Sequence, residues 1–89
     1  MFFSIIIPTY NPKKYLNKLL NSIIKNNCLN EIEIIIVDDQ SEEDFSDILL
    51  QYPKCHFKVI KNDHHYGFSR VGRQTGSEHA QGKWMVFAD

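Results

Sequence analysis

The sequence predicts an α/β fold: a doubly wound, mainly parallel sheet laid down in the order β-α-β-α-β-α-β, as in the amino-terminal half of a Rossmann-like domain. Three observations predict it. Four short apolar runs recur along the 89 residues, at 3–7, 32–37, 57–61 and 84–88. Each run finishes in a polar cluster, and the stretches between runs are long enough for the crossovers that parallel strands require. Parallel strands bring the four polar ends to one edge of one sheet, the edge where open α/β folds place ligands, and their crossovers are right-handed almost without exception.

The first run, Phe3-Ser4-Ile5-Ile6-Ile7, leads into Pro8-Thr9-Tyr10-Asn11. It is far shorter than the ~18 residues of a membrane span, lacks a basic leader and meets Pro8 at once, so it reads as a buried strand. Tyr15, Leu16, Leu19, Leu20, Ile23 and Ile24 then recur at helical spacing, with Asn11 as N-cap and Pro12 in the first turn. The second run, Ile32-Glu33-Ile34-Ile35-Ile36-Val37, ends on Asp38-Asp39-Gln40-Ser41. A second helix is expected from Ser41, where the hydroxyl can cap and Glu42, Glu43 and Asp44 favour the positive end of the dipole, to about Tyr52-Pro53.

The third run, Phe57-Lys58-Val59-Ile60-Lys61, opens onto Asn62-Asp63-His64-His65-Tyr66-Gly67. A third helix follows from about Ser69 to Ala80. Gly72 and Gly76 each cost it up to ~1 kcal/mol relative to alanine, and being four apart they share a face, which suits close packing on the sheet or close approach to a ligand. The last run, Trp84 to Ala88, stops on Asp89.

Ten basic against eleven acidic side chains leave a formal charge of −1, which gives no electrostatic footprint for nucleic acid or an anionic membrane. Cys28 and Cys55 are too few and too far apart for a disulfide scaffold or a zinc site, and read as reduced structural thiols of a cytoplasmic protein. No repeat, linker or charge block divides the chain, so residues 1–89 form one domain or a part of one.

Asp38 and Asp39 follow an apolar strand, where two adjacent carboxylates need a donor or a cation. They suit the imide N–H of a base or the hydroxyls of a ribose; the structural alternative is that Asp39 or Ser41 caps the second helix. Pro8-Thr9-Tyr10-Asn11 offers backbone carbonyls and a flat ring on which a base could stack, or else a turn with Tyr10 covering the sheet edge. Arg70 and Arg73 share a helix face near the ligand edge, where one of them could fork onto a diphosphate. His64 and His65, adjacent on a loop, lack the spacing of a histidine metal site and mark a ligand-facing loop instead.

Taken together, Ser4-Ile5-Ile6-Ile7-Pro8-Thr9-Tyr10-Asn11, Ile34-Ile35-Ile36-Val37-Asp38-Asp39-Gln40-Ser41, Gly67 with Gly72-Arg73-Gln74-Thr75-Gly76, and Ala80 to Asp89 resemble the family 2 glycosyltransferases of the GT-A fold. The resemblance implies an enzyme that moves a sugar, with inversion, from a nucleotide-diphosphate sugar to a saccharide or lipid-linked acceptor in polysaccharide or glycoconjugate synthesis. It implies that Pro8, Thr9 and Tyr10 line the nucleobase pocket, that Asp38 and Asp39 hold base and ribose, and that Arg73 faces the diphosphate. Gln74 stands where the family usually has asparagine. Asp89 matches the first acid of an Asp-x-Asp-Asp stretch that binds a divalent metal, Mg or Mn. The catalytic base and the principal metal carboxylate are then expected beyond residue 89, the 89 residues alone should be inactive, and the location should be cytoplasmic or peripheral at the membrane.

Two other readings compete. Ile35-Ile36-Val37-Asp38-Asp39 and Val86-Phe87-Ala88-Asp89 also look like the acidic and phosphoacceptor strands of a two-component receiver, which would leave residues 3–25 as an extra β-α unit. The other is a non-catalytic nucleotide-binding module.

Overall fold

Four parallel strands, β1 (Phe3–Thr9), β2 (Ile32–Asp38), β3 (Phe57–Lys61) and β4 (Trp84–Phe87), lie side by side in the order β3-β2-β1-β4. All four expected strands form, and β1 and β2 run on into their polar clusters, with Thr9 opposite Asp38 and Asp38 opposite Lys61. The computed structural model describes residues 2–26 and 29–88; Cys28 and Asp89 lie outside the described residues.

The alternation of side chains along β1 and β2 builds two cores. Ile5, Ile7, Ile32, Ile34 and Ile36 face Leu16, Leu20 and Ile23 of α1 (Leu16–Asn26) and Ile48 of α2 (Ser46–Leu49). On the other face Ile6, Ile35 and Val37 pack beneath α3 (Ser69–His79), with Ile60 and Ala80 at the margin. Helices cover both faces, as a doubly wound sheet demands.

The spacing of Leu16, Leu20 and Ile23 gives α1 one buried stripe. Its entry differs from expectation. Pro12–Lys14 forms a 3-10 turn, and Asn11 takes a left-handed φ of 45° with no side-chain bond to that turn. Its Oδ1 instead accepts the Glu42 and Glu43 N–H groups at 2.9 and 3.2 Å. That bond also explains why α2 does not start at Ser41: residues 41–44 are held as a loop against Asn11, and the Ser41 hydroxyl is taken up by the Asp38 carboxylate. Asp44 accepts the Ser46 N–H at 3.0 Å, and only there does the short helix begin.

In α3 the two glycines are the buried residues. A Cβ on Gly72 would come within 2.9 Å of Pro8 Cβ, and one on Gly76 would collide with Ile6 Cγ2. Close packing on β1 therefore accounts for both positions. At the far end of the sheet, the buried Glu33 carboxylate accepts the Ser4 hydroxyl at 2.5 Å and the Gln81 N–H at 2.6 Å, which ties the α3–β4 connection to β1 and β2. β4 itself is uncovered: Trp84, Met85, Val86 and Phe87 are all about half exposed.

Candidate nucleotide site

The alternation along β2 carries past its end and separates the two aspartates. Asp38 continues the face of Ile34 and Ile36, where its Oδ1 accepts the Ser41 N–H at 3.0 Å and the Ser41 hydroxyl. Asp39 continues the face of Ile35 and Val37 and turns toward α3. The repulsion expected between neighbouring carboxylates is thus relieved by pointing them apart.

Asp39 forms the floor of a cleft of about 300 Å³ at the carboxyl ends of the strands. Pro8, Thr9 and Tyr10 wall it from the end of β1, Asn62 and His65 from the loop after β3, and Ser69 and Gly72 from the first turns of α3. The close seating of Gly72 on Pro8 sets the distance between the β1 wall and the helix. Tyr10 leaves its ring exposed within this wall, while Thr9 is buried and its hydroxyl donates to the Ile7 carbonyl at 3.3 Å.

The Asp39 carboxylate is buried, and both of its oxygens are engaged. Oδ1 accepts the Asn62 side-chain amide at 2.8 Å and the Tyr66 N–H at 2.9 Å. Oδ2 accepts the Gly67 N–H at 2.9 Å and lies 3.0 Å from His65 Nδ1. Burial pushes its pKa up, but the Tyr66 N–H, the Asn62 amide, the Gly67 N–H and His65 together outweigh that, and the group is held below the usual carboxylate value. Gly67 adopts a φ of 81°, a left-handed geometry that glycine reaches without strain and that turns its N–H onto Asp39. The loop 62–67 is therefore folded around one carboxylate.

Arg73 does not line the cleft. Its guanidinium donates to the Ser69 hydroxyl at 3.0 Å, one helical turn back, and Ser69 does line it. Arg70 stacks over the Phe68 ring at 5.5 Å. Of the residues singled out from the sequence, Pro8, Thr9, Tyr10 and Asp39 come together here, Asp38 faces away, and Arg73 stands one turn behind. The sequence marks the loop of His64 and His65 as ligand-facing, and His65 lines the cleft; Asn62 and Gly67 have no individual role from sequence alone, their signal being only a polar loop ending in glycine after a strand.

His64 Nδ1 lies 3.2 Å from Asp63, and His65 is turned to Asp39 instead. Among the described residues no group of three or more His, Cys, Asp or Glu side chains is arranged to hold a metal ion.

Residues 4–89 match the family described as Glycosyl transferase family 2. The chain belongs to that family. A poly(ribitol-phosphate) beta-N-acetylglucosaminyltransferase, TarS of Staphylococcus aureus, is 35% identical over 91 residues, covering 100% of this chain and 16% of that protein. A poly(ribitol-phosphate) beta-glucosyltransferase of Bacillus spizizenii is 34% identical over 92 residues, covering 100% of this chain and 14% of that protein. The chain thus spans about a sixth of the length of these relatives.

The crystal structure of S. aureus TarS 1–349 in complex with UDP superposes with a TM-score of 0.90 at 35% identity, covering 100% of this chain and 27% of that one. The mannosyltransferase PcManGT of Pyrobaculum calidifontis, solved in complex with GDP-Man and Mn2+, shares the fold, with a TM-score of 0.76 at 20% identity over 91% of this chain and 25% of that one. The sheet is the amino-terminal, Rossmann-like part of a GT-A domain. The receiver reading fails with this family 2 assignment and also on topology: β1 lies between β2 and β4, so the strand ending at Asp38 and the strand leading to Asp89 are not neighbours. Among the described residues no helix is long and apolar enough to cross a membrane.

Proposed function

We propose that the protein carrying this chain is an inverting glycosyltransferase and that the cleft binds the nucleotide of a nucleoside-diphosphate sugar, uridine diphosphate being the first candidate. One observation carries the reading: an exposed aromatic ring, Tyr10, and a buried, ionised carboxylate, Asp39, face the same cleft at the carboxyl edge of a parallel sheet. A base stacks on the first and presents an N–H to the second. Solved structures of S. aureus TarS with UDP and with UDP-GlcNAc, at 35% identity, support this choice of ligand.

In the proposed reaction an acceptor oxygen forms a bond to the anomeric carbon as the bond from that carbon to the diphosphate breaks, and the acceptor proton passes to a base. Within this chain the proposed duties are binding and orientation. Pro8, Thr9 and Tyr10 hold the base, and Asp39 and the loop it organises fix its edge. Asp38 is proposed to act toward the ribose side only through Ser41 and its loop, since its carboxylate is on the other face. The diphosphate runs toward the amino end of α3, where free N–H groups favour an anion and Arg73 can turn from Ser69 to meet it.

A divalent metal, Mg or Mn, would offset charge on the departing diphosphate, and Asp89 is the residue of this chain proposed to contribute to it. The base and the principal metal carboxylate are proposed to lie outside these 89 residues, because the described cleft holds no uncommitted carboxylate. The acceptor is proposed to be a hydroxyl of a polysaccharide or glycoconjugate precursor, in line with the names of the poly(ribitol-phosphate) transferases, and the location to be cytoplasmic or peripheral at the membrane.

Calorimetric titration of UDP into the protein and into Tyr10→Ala tests the reading. Loss of about 1–3 kcal/mol of binding free energy is expected for the variant. Equal binding by the two proteins would remove Tyr10 from the site and with it the main support for this assignment.

A further inference from the structure

His65 occupies, from within the protein, the place that the proposed base would take. Its imidazole stacks on Tyr10 with ring centroids 4.5 Å apart and planes inclined by 44°. Its Nδ1 lies 2.9 Å from the Asp39 carbonyl oxygen and 3.0 Å from Asp39 Oδ2. Both partners are acceptors, so Nδ1 carries the proton and donates. A flat heterocycle with a ring N–H aimed at Asp39 is what uracil or guanine would also present.

The accounting at Asp39 decides what must happen on binding. Oδ1 accepts two donors and Oδ2 accepts one, all three fixed by the fold: the Tyr66 and Gly67 backbone N–H groups and the buried Asn62 amide. The His65 ring, hydrogen-bonded to the Asp39 carbonyl, stands 3.0 Å from Oδ2 on a side chain 49% exposed on a loop. A ligand N–H can reach the remaining site on Oδ2 only by displacing that ring.

We infer that His65 is a displaceable surrogate for the nucleobase: it fills the Tyr10 stack and stands against the remaining acceptor site of Asp39 Oδ2, and it swings out when the base enters. This rests on the nucleotide reading of the cleft. The arrangement lowers apparent affinity by the fraction of molecules in which His65 is already out.

The test is UDP titration of the full-length protein and of His65→Ala, with nitrogen-15 NMR of the histidine rings in the unsubstituted protein. Removing the surrogate should tighten UDP binding by about three- to tenfold. Saturating UDP should abolish the Nδ1–H signature of His65 while leaving His79 unchanged. Weaker binding by His65→Ala, as expected if His65 sandwiches the base, would overturn the inference, as would a His65 ring signal unaffected by bound UDP. Equal binding by both proteins would overturn the inference and leave the nucleotide reading standing; no binding by either would sink both.

Discussion

Asp38 and Asp39 are consecutive in sequence yet carry their carboxylates to opposite faces of the sheet, Asp38 onto the Ser41 N–H at 3.0 Å and Asp39 onto the Gly67 N–H at 2.9 Å. The division is a direct result of the two-residue period of a strand. It makes the two aspartates separable by mutation, one bracing the loop before α2 and the other organising the cleft.

Asp39→Ala should leave the Tyr66 and Gly67 N–H groups and the Asn62 amide without their acceptor, at a cost of about 1–3 kcal/mol, and should abolish UDP binding. Asp38→Ala should lose a comparable amount of stability through Ser41 but reduce UDP binding far less. Urea unfolding and calorimetry on the two variants check the contrast; matching losses of binding would show that the two aspartates act on one site.

Acid should destabilise the protein through Glu33 and Asp39. Burial raises the Glu33 pKa, but the Ser4 hydroxyl, the Gln81 N–H, Lys58 and the Gly82 N–H together bring it below 4.5, and Asp39 is likewise held below 3.8. With folded-state values below unfolded ones, their contribution is complete above about pH 4.5 and is lost as the pH falls through the folded values. Glu33→Gln should lower the urea midpoint at pH 7 and flatten its decline toward pH 3. An acid limb as steep as that of the unsubstituted protein would locate the effect elsewhere.

Gly76→Ala sets two effects against each other. The helix gains up to ~1 kcal/mol in propensity, whereas the new methyl collides with Ile6 in a packed core at a cost of about 1–3 kcal/mol. Net destabilisation is expected, with recovery in the double variant Ile6→Ala, Gly76→Ala relative to Ile6→Ala alone. A single variant more stable than the parent would show that α3 can lift from β1 at no cost.

β4 presents Trp84, Met85, Val86 and Phe87 to solvent on an edge that pairs only with β1 among the described residues. The 89-residue chain by itself should therefore self-associate, and Val86→Lys should reduce the association by placing a charge on the strand. Sedimentation velocity over a range of concentrations measures both; a monomer at every concentration would mean that the exposed strand is not adhesive.

The strands, the parallel order of their polar ends and α1 were legible in the sequence, because each depends on a local period of apolar residues that burial must respect. Ile5, Ile34 and Leu16 announce their surroundings by spacing alone. Tyr10 and Asp39 could be singled out as site candidates for the same reason, each lying in the polar cluster that closes such a run. What tertiary structure alone decided was which partner each polar group took. Asn11 serves the loop 42–43 instead of its own turn, and the start of α2 moves to Ser46 as a result. His65 is brought onto Tyr10 and Asp39 by a loop that the sequence marks as ligand-facing without naming its partners. Apolar burial is periodic and non-directional, so it can be read along the chain; hydrogen bonds are directional and satisfied by whichever donor the assembled fold brings within about 3 Å, so their partners emerge only once the sheet has gathered its loops.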